Sequence, residues 1–220
     1  MNERKEVVLP GEFLAEKEGR RVGFGAYFEE NKVFAKVLGI PRIDENEISV
    51  IPFAGVYIPR IGDKIIGTIT SVEISGWMVD INSPYVAFLP LAEGVREFVD
   101  TSRTDISEFF DAGDTIFCTI SKVTKNKTIQ VSMGDMGNRK LYGGVTIGVN
   151  PNKIPRIIGK GGSMISIIKE RTNCEIYTGR NGIVWLRGEN KAKAIGAIKI
   201  VEKESHTTGL TEKIEKLLSE

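Results

Sequence analysis

Residues 155–172 read PRIIGKGGSMISIIKERT, and this stretch decides the fold of the region around it. Isoleucines precede and follow a glycine-rich loop, so the pattern predicts two short helices joined by a tight turn. The loop glycines carry no Cβ, which lets a ligand approach the main chain closely. We expect Ser163 to cap the second helix, whose first N–H groups favour an anion. Lys160 adds a positive charge, although a glycine turn that binds nothing is a common alternative.

The segments that flank this loop complete a recognisable order of elements. Alternating apolar residues predict strands at 141–149, 174–178 and 183–187, and a helical pattern predicts a closing helix at 190–203. The order is therefore strand, helix, loop, helix, strand, strand, helix. Around a Gly-Lys-Gly-Gly loop, this order resembles the eukaryotic-type KH domain, an α+β fold, and the resemblance covers residues 139–204.

The KH resemblance implies which residues meet RNA. A KH domain clamps the backbone of a short single-stranded segment with its GXXG loop. By this resemblance the loop holds the RNA backbone, neighbouring cations meet phosphates, and isoleucines form an apolar groove, with core packing as the alternative for the isoleucines. The implied residues are Gly159, Lys160, Gly161, Gly162 and Arg156 for the backbone, Ile157, Ile158, Ile165 and Ile168 for the groove, and Lys169, Arg171 and Arg180 as further cations.

Residues 61–138 contain five short strand-like runs. The first and the fourth open on a Gly-Asp pair, and a polar stretch separates the third from the fourth. Five short strands with a long connection between the third and fourth predict a small closed barrel of the OB type. The predicted runs are 61–72, 77–81, 85–90, 112–120 and 127–133.

This barrel region resembles the S1 RNA-binding domain, on the motifs Gly62-Asp63, Gly76-Trp77-Met78-Val79-Asp80 and Ile129-Gln130-Val131-Ser132. The resemblance implies that Trp77 and Phe88 lie on a face where bases stack. Burial in the barrel core is the alternative for both aromatic residues. On one predicted hairpin, the phosphate candidates are Lys122, Lys125 and Lys127.

The two ends of the chain predict further elements. Strand-like runs at 7–12, 33–39 and 48–52 predict a β-rich domain over residues 1–60, which either docks on a protein or is a structural cap. At 205–220, apolar residues at helical spacing predict a C-terminal helix that packs on its own domain or on a partner. The predicted fold class is thus a mainly β N-terminal domain and an OB-type β-barrel, followed by an α+β domain.

Charge and composition limit the classes of function. The net charge is −1 over residues 1–60, −5 over 61–138 and +7 over 139–220, so attraction to phosphates is concentrated in the C-terminal third. The two cysteines, Cys118 and Cys174, are far apart and His206 is the only histidine, so we expect no catalytic residues, no metal and no cofactor. No apolar run approaches the roughly 18 residues of a membrane span, so we expect a cytoplasmic protein.

The order of a β-rich domain, an S1 domain and a KH domain resembles the RNA-binding cap subunits of the archaeal exosome. The resemblance implies a non-catalytic subunit, present in three copies on a hexameric ring of RNase PH-type subunits. It would capture single-stranded RNA and guide it into the ring for 3′-to-5′ degradation. Two alternatives stay open at this point: a free-standing RNA-binding factor in translation or RNA chaperoning, and an independent nuclease.

Overall fold

The computed structural model describes residues 7–96, 99, 104–205 and 209–219. The chain divides into two compact units, one that ends at Gly55 and one that begins at Val56. His206 lies outside the described residues. None of the described helices is long and apolar enough to cross a membrane.

The first unit contains two small sheets around one core. Its six strands form two three-stranded sheets, in the orders β1-β4-β3 and β2-β6-β5. The core consists of Val8, Leu14, Val33, Ala35, Ile48 and Val50. The strands are β1 (Phe13–Glu16), β2 (Arg21–Val22), β3 (Ala26–Glu29), β4 (Lys32–Ala35), β5 (Gly39–Ile43) and β6 (Glu47–Pro52).

The strand predicted at 7–12 is wrong in its position. Val8 forms only an isolated bridge to Gly39, and the regular strand β1 begins at Phe13. The reason is the turn at Pro10 and Gly11, where proline lacks an N–H group for pairing and Gly11 has a φ of 86°.

The second unit begins with the predicted barrel. Five strands, β7 (Lys64–Glu73), β8 (Gly76–Asp80), β9 (Ala87–Pro90), β10 (Thr115–Val123) and β11 (Ile129–Ser132), pair in the order β11-β9-β8-β7-β10. The additional pairing of β11 with β10 closes the barrel. The connection between β9 and β10 contains the short helix α1 (Leu91–Gly94) and a 3₁₀ turn at Ile106–Glu108.

The predicted strand at 141–149 is in fact two strands in two different sheets. Strand β12 (Arg139–Leu141) pairs with β10 of the barrel, whereas β13 (Val145–Gly148) belongs to the next domain. Gly143 and Gly144 separate the two strands with φ values of 66° and 76°, a conformation that breaks an extended strand and suits glycine.

The α+β domain packs its helices on one three-stranded sheet of order β13-β15-β14. The C-terminal helix contributes Leu210, Ile214 and Leu218 to the core of this domain, so of the two packing options it takes its own domain. The remaining elements are α2 (Ile154–Ile158), α3 (Ser163–Thr172), β14 (Glu175–Thr178), β15 (Ile183–Arg187), α4 (Lys191–Lys203) and α5 (Leu210–Ser219). The predicted fold class is confirmed.

The barrel and the α+β domain share a buried contact, which we call the seam. The seam packs Ile66, Phe117 and Leu141 of the barrel side against Trp185 of β15. At its centre lies Asn181, in the turn between β14 and β15, with no exposed surface. These two domains therefore form one continuous body.

Candidate nucleic-acid interface

The glycine loop lies between α2 and α3 and is held by its own backbone. The N–H of Gly159 donates to the carbonyl of Pro155 at 3.0 Å, and the N–H of Gly162 donates to the carbonyl of Gly159 at 3.2 Å. Gly159, Gly161 and Gly162 have φ values of 78°, 61° and 84°. These values belong to the left-handed half of conformational space, where side chains with a Cβ are disfavoured.

The three glycines have different tasks. A Cβ on Gly159 would lie 2.7 Å from the backbone nitrogen of Met164, so this glycine lets the loop pass close over the start of α3. A Cβ on Gly161 or Gly162 would meet nothing within 4 Å. Gly159 is therefore a packing requirement, whereas the outer side of Gly161 and Gly162 is open to a ligand.

Ser163 is not the cap that the sequence predicts. It has helical angles, φ −57° and ψ −47°, and it is the first residue of α3, while Gly162 occupies the capping position without a side-chain hydrogen bond. No side-chain hydrogen bond therefore caps the start of α3. Its first N–H groups and its positive dipole end face the glycine loop, an arrangement that favours an anion.

Two exposed cations stand beside this loop. Arg156 on α2 and Lys160 in the loop are both exposed, and within the described parts of the chain neither forms an ion pair. A side chain that already neutralises a carboxylate has less to offer a phosphate, so unpaired cations are the better phosphate ligands. The loop thus combines open backbone with available positive charge.

The structure contradicts the isoleucine groove predicted beside the loop at two of its positions. Ile157 and Ile168 are fully buried in the core of the α+β domain, so the groove role predicted for them is wrong. The reason is helix geometry, since the faces of α2 and α3 that meet α4 and the sheet must be apolar. Ile158 and Ile165 are half-buried on either side of the loop, where they remain candidates for contact with a ligand.

On the barrel, Trp77 is not a stacking platform. Its side chain has no exposed surface and packs edge-to-face on Phe110, with ring centroids 5.0 Å apart. Trp77 shares the inward face of β8 with Val79, so the alternation of the strand places it in the core. The role predicted for Trp77 is therefore corrected to core packing.

Phe88 lies on the opposite, outward face. Its strand neighbours Ala87 and Leu89 are fully buried, while the Phe88 ring is half-exposed. The strand register places Gln130 beside Phe88, and Lys122 beside Gln130. An aromatic ring, an amide and a lysine therefore form a row across the outer surface of the barrel, a combination that suits a base and its phosphate.

The predicted lysine hairpin is exposed, and it includes a residue that the sequence did not single out. Lys122, Lys125 and Lys127 are all exposed at the β10–β11 hairpin. Lys127 Nζ lies 5.8 Å from the centroid of the half-buried Tyr85 ring. Tyr85 thus adds a second aromatic ring to this surface. The signal for it was its position after the Asn82-Ser83-Pro84 turn, directly before the strand of Phe88.

Burial shifts the pKa of two titratable side chains in the second unit. Burial raises the pKa of the Cys118 thiol, which therefore stays protonated and unreactive at neutral pH. Burial, together with the 2.8 Å hydrogen bond to Asp63, raises the pKa of Tyr57. Within the described residues, no three His, Cys, Asp or Glu side chains are grouped so that they could hold a metal ion.

Comparisons with known protein families match three successive segments of the chain. Residues 5–54 match the family model described as the exosome RNA binding protein RRP4 N-terminal domain. Residues 56–122 match the model of the RRP4 S1 domain, and residues 144–192 match the KH domain. The glycine loop lies inside the KH match, and Phe88 and Lys122 lie inside the S1 match, whereas Gln130 follows it.

Full-length relatives and a solved structure agree with these matches. An exosome complex component Rrp4 from Methanothermus fervidus is 38% identical over 216 residues, which cover 97% of this chain and 95% of that protein. The Rrp4 of Pyrococcus horikoshii is 40% identical, covering 98% of this chain and 83% of that protein. A crystal structure of a proposed exosome complex RNA-binding protein superposes with a TM-score of 0.68 at 34% identity, covering 75% of this chain and 96% of that one. The chain belongs to the Rrp4 family of exosome complex components.

Proposed function

We propose that this protein is a non-catalytic RNA-binding subunit of an exosome. It captures single-stranded RNA and guides it into a ring of RNase PH-type subunits, which degrades the RNA from its 3′ end. The observation that carries the proposal is the exposed Gly-Lys-Gly-Gly loop, with open space outside Gly161 and Gly162, in the third of the chain that has a net charge of +7. The names of the relatives support the same assignment.

Single-stranded RNA fits this surface better than a duplex does. The glycine loop and the start of α3 offer backbone N–H groups and cations, which bind a sugar–phosphate chain without reading its sequence. Phe88 and Tyr85 offer half-exposed rings, and a ring can stack only on a base that is unpaired and free to turn outward. The proposed contacts are those of the glycine loop, with Arg156, Ile158 and Ile165, and those of Phe88, Lys122, Lys125 and Lys127.

The first unit supplies a surface for docking on the ring. Tyr27 and Phe13 flank Phe34 on the β1-β4-β3 sheet, with ring centroids 5.6 Å and 6.0 Å from that of Phe34. Phe13 and Tyr27 are 45% and 38% exposed, whereas Phe28, the next residue of β3, lies on the other face of the sheet. A continuous exposed aromatic surface of this kind is typical of a protein–protein contact. We propose the RNase PH-type ring as its occupant, with three copies of this chain on one ring, in the cytoplasm.

Reconstitution tests the proposal. Purified chain, purified RNase PH-type ring, and a mixture of the two are incubated with a 5′-labelled single-stranded RNA, with and without inorganic phosphate. The expected result is that the chain degrades nothing by itself, co-elutes with the ring, and lowers the RNA concentration needed for half-maximal degradation. Tyr27→Asp should abolish co-elution and leave RNA binding by the free chain unchanged. RNA loss with the purified chain, or failure of the wild type to co-elute, would contradict the proposal.

A further inference from the structure

A second aromatic and cationic cluster lies away from both the glycine loop and the Phe88 row, at the seam. Tyr177 is on β14, next to the buried Ile176, and its side chain points to the face of the sheet that meets the barrel. Its ring centroid lies 5.2 Å from that of Phe117 and 5.9 Å from that of Trp185. Phe117 and Trp185 are buried, whereas Tyr177 is half-exposed, so the Tyr177 ring forms the accessible edge of the cluster.

Two cations from different domains approach this one ring. The Arg139 guanidinium carbon, on β12 at the barrel, lies 5.6 Å from the Tyr177 ring centroid. Lys169 Nζ, on α3 of the α+β domain, lies 5.9 Å from the same centroid. Both side chains are exposed, and among the described residues neither of them forms an ion pair. Their charge is therefore available to an anion at this place.

The seam holds these groups in a fixed geometry. Asn181 donates to the backbone carbonyls of Ile66 and Ile81 at 2.6 Å and 2.9 Å, and the N–H of Arg180 donates to the carbonyl of Lys64 at 2.8 Å. Arg139 is attached to the barrel and Lys169 to the α+β domain. If the junction between these domains were loose, the two side chains would move apart. A rigid junction keeps both beside Tyr177, and a preorganised site loses less entropy when its ligand binds.

We propose that Tyr177, Arg139 and Lys169 form a further nucleotide-binding subsite for single-stranded RNA. An unpaired base packs against the half-exposed ring of Tyr177, and the flanking phosphates meet Arg139 and Lys169, which lie over that ring. This inference rests on the proposed RNA-binding function and extends its contact surface to the seam. RNA is favoured over an acidic peptide because the two cations lie over an aromatic ring, which offers a base a stacking surface that a carboxylate cannot use.

The position of Lys169 connects this subsite with the glycine loop. Helix α3 starts at the loop, and Lys169 lies six residues after Ser163, which corresponds to roughly 9 Å along a helix axis. A KH-type loop clamps about four nucleotides. A strand held at Gly161 and Gly162 can therefore continue along α3 and reach Tyr177 within a few nucleotides.

The test compares affinities for one fluorescein-labelled 12-nucleotide A-rich RNA over a salt series, using the full chain throughout. The variants are Tyr177→Leu, Tyr177→Phe, and the double variant Arg139→Gln with Lys169→Gln. The matched control is Lys191→Gln with Lys193→Gln, which removes two exposed charges from α4. A blunt duplex of the same sequence serves as a second ligand, because its bases are not free to stack.

The proposal predicts a specific pattern of losses. Tyr177→Leu should weaken single-stranded binding by about fivefold or more, following the usual contribution of one stacked base. It should leave duplex binding unchanged, and Tyr177→Phe should retain wild-type affinity. The Arg139 and Lys169 double variant should reduce the slope of log K against log salt by about 1.4, at roughly 0.7 per phosphate on a single strand, and the α4 control should leave the slope unchanged.

Two outcomes would overturn the inference. In one, the Arg139 and Lys169 double variant, whose exposed substitutions leave the fold intact, binds RNA with wild-type affinity and salt slope. In the same experiment, a change in the glycine loop still abolishes binding. That result would remove the seam subsite, keep the proposed function, and point to an acidic protein segment as the ligand of the seam. The other is a wild-type chain that binds no single-stranded RNA, which would refute the proposed function and the subsite together. A thermal melt of each variant shows whether Tyr177→Leu is folded.

Discussion

Replacement of Asn181 by alanine tests whether the barrel and the α+β domain form one body. The Asn181 amide donates to the carbonyls of Ile66 and Ile81, and its oxygen accepts from the N–H of Ile66 at 3.3 Å. The pairing of β7 with β8 ends at Thr68. The Asn181 side chain therefore bonds to Ile66 of β7 beyond the end of that pairing. There the Asn181 amide bonds to the N–H and the carbonyl of Ile66, as the backbone of a neighbouring strand would.

The magnitude follows from these three hydrogen bonds. Each contributes about 1 kcal/mol net, and a buried backbone group that is left without a partner costs about 1–3 kcal/mol. Asn181→Ala should therefore lower the free energy of unfolding by about 3–5 kcal/mol. For a unit of this size, about 1 kcal/mol corresponds to roughly 2–4 °C, so we expect Tm to fall by at least about 6 °C.

Urea denaturation and calorimetry measure this loss, and Asn82 provides the control. Asn82 donates to the backbone carbonyl of Asn181 at 2.8 Å, and its φ of 52° suits glycine. Asn82→Gly removes one exposed partner without strain and should cost about 1 kcal/mol. The claim that the seam joins the barrel and the α+β domain into one body is contradicted by either of two results. In one, Asn181→Ala lowers the free energy of unfolding no more than Asn82→Gly does. In the other, the two domains of the wild type unfold in separate transitions.

Three further predictions concern single positions. Phe88→Leu should weaken single-stranded RNA binding by about fivefold in a filter assay while stability is retained. Trp77→Leu should lower the free energy of unfolding by about 3 kcal/mol and leave the affinity of the folded protein unchanged. The reverse pattern would show that Trp77 is the stacking platform. In a urea titration, Gly159→Ala should destabilise the protein by about 3 kcal/mol because its Cβ meets α3. Gly161→Ala should cost only about 1–2 kcal/mol because its Cβ enters open space. Equal losses of stability would contradict the different roles of the two glycines. Because burial raises the pKa of its thiol, Cys118 should resist maleimide at pH 8 until urea unfolds the chain, and rapid labelling of the native protein would contradict its burial.

The sequence predicts elements well where a local signal and a period agree. The glycine loop, the helices α2 and α3 and the strand Ile183–Arg187 follow from glycine placement and apolar spacing within one short segment. The barrel follows from its repeated Gly-Asp openings. The alternation of strand residues also predicts the burial of Trp77, which shares its strand face with Val79. The same alternation predicts that Phe88 faces away from Ala87 and Leu89. The resemblance to S1 domains implied a stacking role for both rings, with burial in the core as the alternative.

What the sequence does not predict depends on contacts between distant segments. Asn181 meets Ile66 across 115 positions, and Tyr177 meets Arg139 from another domain. A local pattern cannot tell that Arg139–Leu141 joins the barrel sheet while Val145–Gly148, only a few residues later, joins the next one. Such choices are made by the packing of whole domains, and they decide which cations and rings become neighbours.

A direct binding measurement shows whether the glycine loop grips RNA. The affinity for a single-stranded A-rich RNA is measured over a salt series for the wild type and for Lys160→Asp with Gly161→Asp. The control, Lys193→Asp with Gly196→Asp on α4, makes the same change in charge at two exposed positions. If the loop grips RNA, we expect at least about tenfold weaker binding and a shallower salt slope for the loop variant, with near wild-type binding for the control. Equal affinities for the two variants would contradict a grip at the loop.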